Sequence, residues 1–352
     1  NGITLPSDIP LGYHQLHLQQ MSCRVIITPE KAFQPQALLD HKKLWGSILQ
    51  LYTLRSEQNW GIGDFGDLQR FLRHIAEYNG AFVGLNPIHS LFPAHPESAS
   101  PYSPSSRLWQ NIIYIDVPAI ESFQQSSEAQ KWLKSANVKK ALSQLRAADY
   151  VDYAKVTALK LAGLKLAYQQ FKQQDQREFE HFVQVNSEAL KIQGTFDALH
   201  QWLTEQFEQQ WGWDSWAECY QDYRSVYVQK FQIEQSDLVR FYMWLQFVAQ
   251  QQLKACNELA KQLGMPIGFY RDLAVGVADN GAETWADKEL YVLGASIGAP
   301  QDMLAPQGQN WGLSPMHPRI LQQRGYQPFI DLLRANMRDC GALRIDHILG
   351  LT

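Results

Sequence analysis

GSILQLYTLRSEQNWGIGDFGDLQRFLRHIAEYNGAFVGLNPIH, residues 46–89, is the stretch that sets the architecture. Ser47–Leu54 (SILQLYTL) reads as a strand, and the polar, glycine-rich residues 55–66 follow it. Leu68, Phe71, Leu72, Ile75 and Ala76 then recur at i, i+3, i+4, i+7 and i+8, one stripe of an amphipathic helix. Asp67 stands where an N-cap belongs, and Gly80 where a helix stops. Ala81–Leu85 (AFVGL) is a second short apolar run, closed by Asn86, Pro87, Ile88 and His89. Strand, helix and strand of these lengths make one βα repeat, the unit of a parallel sheet.

Outward from this repeat the same rhythm returns after a long interruption. A helical pattern over Leu238–Leu263 leads to the strand Pro266–Tyr270 (PIGFY), which ends in Arg271 and Asp272. A helix around Pro328–Cys340 leads to the strand Ala342–Ile345 (ALRI), followed by Asp346 and His347. Four strands, each followed by polar residues, point to an α/β fold of the (β/α)8 TIM-barrel type. Such a barrel needs eight strands, so only about its first half is expected here. Residues 90–235 hold a Pro/Ser-rich loop (Phe92–Arg107) and a helix-rich, Gln-rich stretch too long for an ordinary connection. They are read as an inserted helical subdomain, with Trp202, Trp211, Trp213 and Trp216 assigned to its core. Leu11–Leu18 and Arg24–Thr28, bounded by Pro6, Pro10, Pro29 and Pro35, read as edge strands of the end of an N-terminal β region. The expected division is therefore 1–43 for that region and its connection and 44–352 for the half-barrel, interrupted by 90–235.

Composition narrows the function classes. Of 352 residues 45% are hydrophobic and 19% charged, which describes a globular chain and excludes disorder and collagen-like repeats. No run approaches the roughly 18 apolar residues of a membrane-spanning helix. Lys and Arg total 31 against 35 Asp and Glu, a net charge of −4, so neither nucleic acid nor an anionic membrane is an expected partner. Cys23, Cys219, Cys256 and Cys340 show no metal-ligand spacing and read as reduced, mostly buried thiols of a cytoplasmic protein. The chain begins at Asn1, which leaves the absence of a leader peptide as weak support for that compartment. No His/Cys/Asp cluster suggests a metal and no Gly-rich loop a phosphate, so no cofactor is expected. Aromatics reach 12%, enough for a large core and also for a cleft in which ring faces pack on sugars.

The densest chemistry is Arg344-Ile345-Asp346-His347. Side chains repeat every two residues along a strand, so Arg344 and Asp346 share a face, and the arginine keeps the carboxylate ionised. An ionised, oriented carboxylate at a barrel mouth suits the nucleophile of a retaining glycosidase; a structural Arg–Asp pair fits the four residues equally well. Tyr102, between Pro101 and Pro104, suits a rigid loop anchor or a sugar platform. Trp311, flanked by glycine and polar residues, reads as part of an exposed loop. Asp64 and Asp67 read as turn and cap residues. His14, His17, His41 and His74 read as ordinary histidines.

Five segments together resemble the 4-α-glucanotransferases of glycoside hydrolase family seventy-seven, the amylomaltases or disproportionating enzymes of the α-amylase clan. They are Asn59–Leu68 (NWGIGDFGDL), Ser100–Arg107 (SPYSPSSR), Arg271–Gly276 (RDLAVG), Gly308–Gly312 (GQNWG) and Arg344–His347 (RIDH). The order matches the family, and the resemblance runs from about Pro10 to the end, closest to the long bacterial type with an N-terminal β extension. It implies transfer of α-1,4-glucan segments between maltodextrins, with maltooligosaccharides or starch-derived glucans as partners. Asp346 then matches the nucleophile and Arg344 the arginine that orients it. Tyr102 matches the aromatic under the ring at the cleavage site, with Ser103 beside it, and His347 lies near the donor sugar. Asp272 matches a strand-end carboxylate on the donor side, and Trp311 an aromatic shaping the acceptor side, with Asp302 on the same loop.

The same resemblance places the acid/base glutamate and a third aspartate downstream of Asp346, so neither is assigned, and Glu283 and Glu289 are not substituted for them. The chain is accordingly expected to be part of a longer enzyme, with open sheet edges that favour association. An α-glucan hydrolase of the same clan, using water as acceptor, and a non-catalytic glucan-binding module are the alternatives.

Overall fold

The computed structural model describes residues 4–19, 21–207 and 210–347. Its strands in chain order are β1 (Gly12–Leu18), β2 (Met21–Ile27), β3 (Gly46–Leu49), β4 (Phe82–Leu85), β5 (His89–Ser90), β6 (Ser106–Gln110), β7 (Gly268–Leu273), β8 (Val277–Ala278), β9 (Ile297–Ala299), β10 (Gln309–Ser314) and β11 (Ala342–Ile345). The four strands read from the sequence form one parallel sheet in the order β3-β4-β7-β11. Helices Phe65–Glu77, Ser236–Gln262 and Gln327–Met337 lie in the three crossovers between them. This is the α/β winding of a TIM-barrel-like fold. The two central strands are covered, whereas the outer strand β3 leaves Ile48 73% exposed. Among the described residues β3 and β11 remain edges of the sheet.

Several boundaries move, each for a local reason. The first strand stops at Leu49, and Leu51–Thr53 turns as a 3-10 helix whose Leu51 N–H is taken by Asn86 Oδ1 at 2.9 Å. Asn86 is therefore a buried brace between strand ends. Phe65 already belongs to the buried stripe, so the helix begins a turn earlier than expected, with Asp64 as its cap instead of Asp67. The Asp64 carboxylate accepts the Gly66 and Asp67 amides, and the Asp67 carboxylate accepts the Asp64 amide at 3.2 Å, a reciprocal capping box. β7 continues past Tyr270 to Leu273, so Arg271 and Asp272 sit within the strand and point to opposite faces. Arg271 goes out to the helix layer, where Nη1 donates to Ala335 O at 3.1 Å, leaving Asp272 on the inner face.

The N-terminal runs pair as the antiparallel hairpin β1–β2, with the register Gly12↔Ile27. Arg24 of that hairpin donates to Gly325 O and to Gln327 Oε1, tying it to the start of the helix Gln327–Met337. The stretch between β4 and β7 is helical, as expected, but also holds the short ribbon β5–β6. Its longest helix, Arg177–Gln206, breaks at Ser187 (φ 39°, ψ −120°) and packs along Ser236–Gln262. Trp213 and Trp216 are buried and Trp202 is packed against the core. Trp211 departs from expectation: it is exposed and meets His95 edge-on with centroids 4.4 Å apart. Among the described residues no helix is long and apolar enough to cross a membrane.

One buried carboxyl gives a stability prediction. Asp197 lies inside the Arg177–Gln206 helix with Gln193 Nε2 donating to Oδ2 at 2.9 Å, and burial pushes its pKa up to about 7. The folded state thus keeps a proton that the unfolded chain releases near 3.8. Stability drains away as pH rises between those two values, by on the order of a few kcal/mol. Asp197→Asn preserves shape and removes the ionisation. Urea midpoints at pH 5 and pH 8 should fall less in the variant than in the wild type; parallel losses would refute the assignment.

Candidate active site

The site begins with strand register. β11 pairs with β7 in parallel so that Arg344 lies beside Asp272, and neighbours in register share a face. Arg344 Nη1 donates to both oxygens of Asp272, at 2.8 and 2.9 Å, and Nη2 donates to Asp346 Oδ2 at 2.6 Å. One guanidinium therefore holds two carboxylates. His347, in the left-handed region at φ 50°, turns its amide onto Asp346 Oδ1 at 3.0 Å.

The two carboxylates differ because their surroundings differ. The Asp272 side chain is 7% exposed and that of Asp346 42%. Burial raises the Asp272 pKa, against the pull of Arg344. Burial also pushes Asp346 upward, but the His347 amide and the Arg344 hydrogen bond and charge outweigh it, holding Asp346 below the ordinary carboxylate range. Asp346 is thus the more readily ionised and the solvent-reachable member of the pair.

These groups line a cavity of about 310 Å³ with Ser100, Tyr102, Ser103, Leu273, Val275, Trp311, Leu313 and His347. The Tyr102 loop is bolted down beneath its exposed ring. Ser105 N donates to Ser90 O at 2.9 Å, Ala278 N to Pro104 O at 2.9 Å, and Ala282 N to Ser105 Oγ at 3.0 Å. Gly281 is required there, since a Cβ would sit 2.6 Å from Ser105 O. Burial and the Asp272 charge both raise the Tyr102 pKa, so the phenol keeps its proton. Trp311 packs on His347 with ring centroids 4.7 Å apart.

Of the residues expected from sequence, Tyr102, Ser103, Asp272, Trp311, Arg344, Asp346 and His347 all meet in this cavity. Asp302 does not: its Oδ1 accepts the Leu304 and Ala305 amides at 2.8 and 2.6 Å, which makes it the anchor of its own exposed turn. Trp311 belongs to strand β10 and not to a loop. The alternation of Gln309, Trp311 and Leu313 after Gly308 is the period-two signal that marks β10, and it brings Leu313 to the cavity beside Trp311. Glu283 is committed elsewhere, accepting from the Arg107 amide and the Tyr291 hydroxyl, and Glu289 pairs with Arg324 at 2.7 Å. Neither lines the cavity. The Asn59–Leu68 segment is structural: Asn59 Nδ2 donates to Asp67 Oδ2 at 3.0 Å and Trp60 is buried under Gly163.

A parallel α/β sheet with carboxylates and an arginine gathered at the carboxyl ends of two adjacent strands, open to a cavity, defines a TIM-barrel-like enzyme fold. The chain belongs to the 4-alpha-glucanotransferase family, glycoside hydrolase family 77, whose family model matches residues 49–352. A second model, the MalQ N-terminal beta sandwich domain, matches residues 1–29. The chain is 41% identical to a 4-alpha-glucanotransferase of Haemophilus influenzae, over 99% of this chain and 52% of that protein. It superposes on the crystal structure of amylomaltase from Corynebacterium glutamicum with a TM-score of 0.81 and 32% identity, covering 99% of this chain and 47% of that one. Amylomaltase from Streptococcus agalactiae in complex with acarbose gives 0.73 at 20% identity, over 88% and 60% of the two chains, a likeness of fold. The chain spans about half the length of the curated relatives it matches most fully.

Proposed function

We propose that the cavity is the donor side of a 4-α-glucanotransferase site acting on maltodextrins by retaining double displacement. The observation that carries this is the single guanidinium of Arg344 gripping Asp272 and Asp346, with Asp346 the one held below the ordinary carboxylate range and open to solvent. An Asp346 oxygen attacks the anomeric carbon, the C1–O4 bond breaks, and the leaving oxygen takes a proton from a general acid. The 4-hydroxyl of an acceptor glucan then attacks C1, giving its proton to the conjugate base of that acid while the C1–O bond to Asp346 breaks and frees the carboxylate. Tyr102 packs under the donor ring, Ser103 and His347 border it, and Trp311 shapes the acceptor side. The acarbose complex of the Streptococcus agalactiae amylomaltase is consistent with an oligosaccharide in such a site.

In this reading residues 44–352 supply the first half of the barrel, with 90–235 inserted, and 1–43 end an N-terminal β region. Both carboxylates lining the cavity among the described residues are held by Arg344, so the proton donor is assigned to neither. Of the four thiols only Cys256 is buried; Cys219 and Cys340 are half-buried and Cys23 is exposed, fewer buried than the sequence suggests. Incubation with maltotriose, with separation of the products, tests the proposal. Glucose together with a ladder of maltodextrins longer than the substrate is expected. Glucose and maltose without longer products would point to the clan's hydrolases. Binding without turnover, when a C-terminally extended chain does turn maltotriose over, would mean a half-barrel with the correct nucleophile; binding without turnover in either would mean a non-catalytic glucan-binding module.

A further inference from the structure

We infer that His89 is a positioning residue for the cavity: its Nε2 accepts the Ala274 amide and, with Arg107 on the adjoining carbonyls, fixes the backbone that carries Asp272. This inference rests on the glucan-site reading above. Ala274 N donates to His89 Nε2 at 3.1 Å, and Arg107 Nη1 donates to Val275 O at 3.1 Å and to Ala274 O at 3.5 Å. Asp272, Leu273 and Val275 line the cavity, whereas His89 and Arg107 stand behind its wall. Two consecutive residues thus have one amide and two carbonyls held by side chains from outside the cavity.

The clamp is built into the ribbon β5–β6, which supplies His89 from one strand and Arg107 from the other. Arg107 is itself held by Glu283, whose Oε2 is 3.6 Å from Nη2, and by the Tyr291 hydroxyl at 3.4 Å. Asn336 Nδ2 closes the other side on Arg107 O at 3.0 Å.

An imidazole that accepts at Nε2 carries its proton on Nδ1, and among the described residues Nδ1 meets no acceptor. A buried donor left so costs about 1–3 kcal/mol. Packing alone is served as well by methionine, without that cost; what histidine adds here is the lone pair. Burial first, then the charges of Arg271 and Arg107, keep the ring neutral and so able to accept. Catalysis depends on such placement, because a shift of about 1 Å in a reacting group costs on the order of 10²-fold in rate.

Two variants test the inference. His89→Met keeps volume without an acceptor, and His89→Gln presents an amide oxygen close to where Nε2 stands. Hydrogen exchange at the Ala274 amide should quicken roughly tenfold or more in His89→Met and stay within a few-fold of wild type in His89→Gln. In maltotriose turnover, kcat should fall about 10–100-fold in His89→Met with a smaller change in KM, and His89→Gln should restore most of it. Unchanged Ala274 exchange in His89→Met, or a kcat loss that His89→Gln fails to rescue, overturns the inference. A wild-type protein that neither binds nor converts maltotriose would remove the glucan-site reading instead, while the exchange rates still decide the clamp.

Discussion

Asp346→Asn should abolish glucan transfer, lowering maltotriose disproportionation by roughly 10⁴-fold or more, the scale on which loss of a covalent nucleophile is felt. Affinity for maltooligosaccharides should stay within a few-fold. The asymmetry follows from the site. Asparagine fills the same space and keeps one of the two acceptor oxygens, so it can still accept from Arg344 or from the His347 amide, and the cavity keeps its shape. It carries no charge to meet the anomeric carbon, and no ester with the sugar forms. Rapid acid quench followed by mass spectrometry of the peptide containing residue 346 reads this directly. Wild type should carry a glycosyl adduct on Asp346, and the variant none. An adduct on another residue, or transfer in the variant within tenfold of wild type, would remove Asp346 from the role. The same peptide in an Asp272→Asn protein should still be labelled, because Asp272 is buried and acts through Arg344.

The second large effect is on stability and lies away from the cavity. Lys160, on the helix Tyr153–Phe171, is buried; its Nζ donates to Ile113 O at 2.7 Å and Ile115 O at 2.8 Å and stands 3.4 Å from Asp64 Oδ2. Asp64 in turn caps the helix Phe65–Glu77, so one ammonium ties the insert to the first βα repeat. Lys160→Met strands two carbonyls and a carboxylate without their cation, and should cost about 3–5 kcal/mol at neutral pH. The pH dependence carries a sign. Burial already pushes Asp64 up to about 6, with Lys160 pulling the other way. Removing Lys160 pushes the carboxyl higher still, so the folded variant holds a proton that the unfolded chain loses near 3.8. Its stability therefore falls as pH rises above about 4, and the deficit against wild type should be smaller at pH 5 than at pH 8. Adding Asp64→Asn should recover part of the loss, as coupled neighbours do. Urea unfolding of wild type, Lys160→Met, Asp64→Asn and the double variant measures all of this. A deficit below about 1 kcal/mol, or one that does not vary with pH, would show that the pair is not what joins the two parts.

Local pattern determined more of this protein than its length suggests. The four sheet strands and their crossover helices are legible because hydrophobic periodicity needs only neighbours in sequence, and Ala342–Ile345 emerges with the same bounds in both readings. The Arg344–Asp346 pairing is legible for the same reason, two residues apart at the end of a strand. A stripe that starts at Leu68 puts the cap of the first helix at Asp67, one turn late, because Phe65 already belongs to the buried face. The resemblance of five segments named the residues of the cavity. It could not exclude Asp302, which lies outside those five segments and is spent on its own turn.

What tertiary structure alone decided are the partnerships between distant residues. Arg344 meets Asp272 only because the register of β11 on β7 sets them side by side, 72 positions apart. Lys160 meets Asp64 across 96 positions and His89 meets the Ala274 amide across 185, and nothing in the local pattern of either stretch announces it. The physical reason is the same each time. A charge or a lone pair acquires its partner, and its altered protonation, from desolvation by segments folded in from elsewhere, whereas periodicity records only which face of its own element a residue occupies.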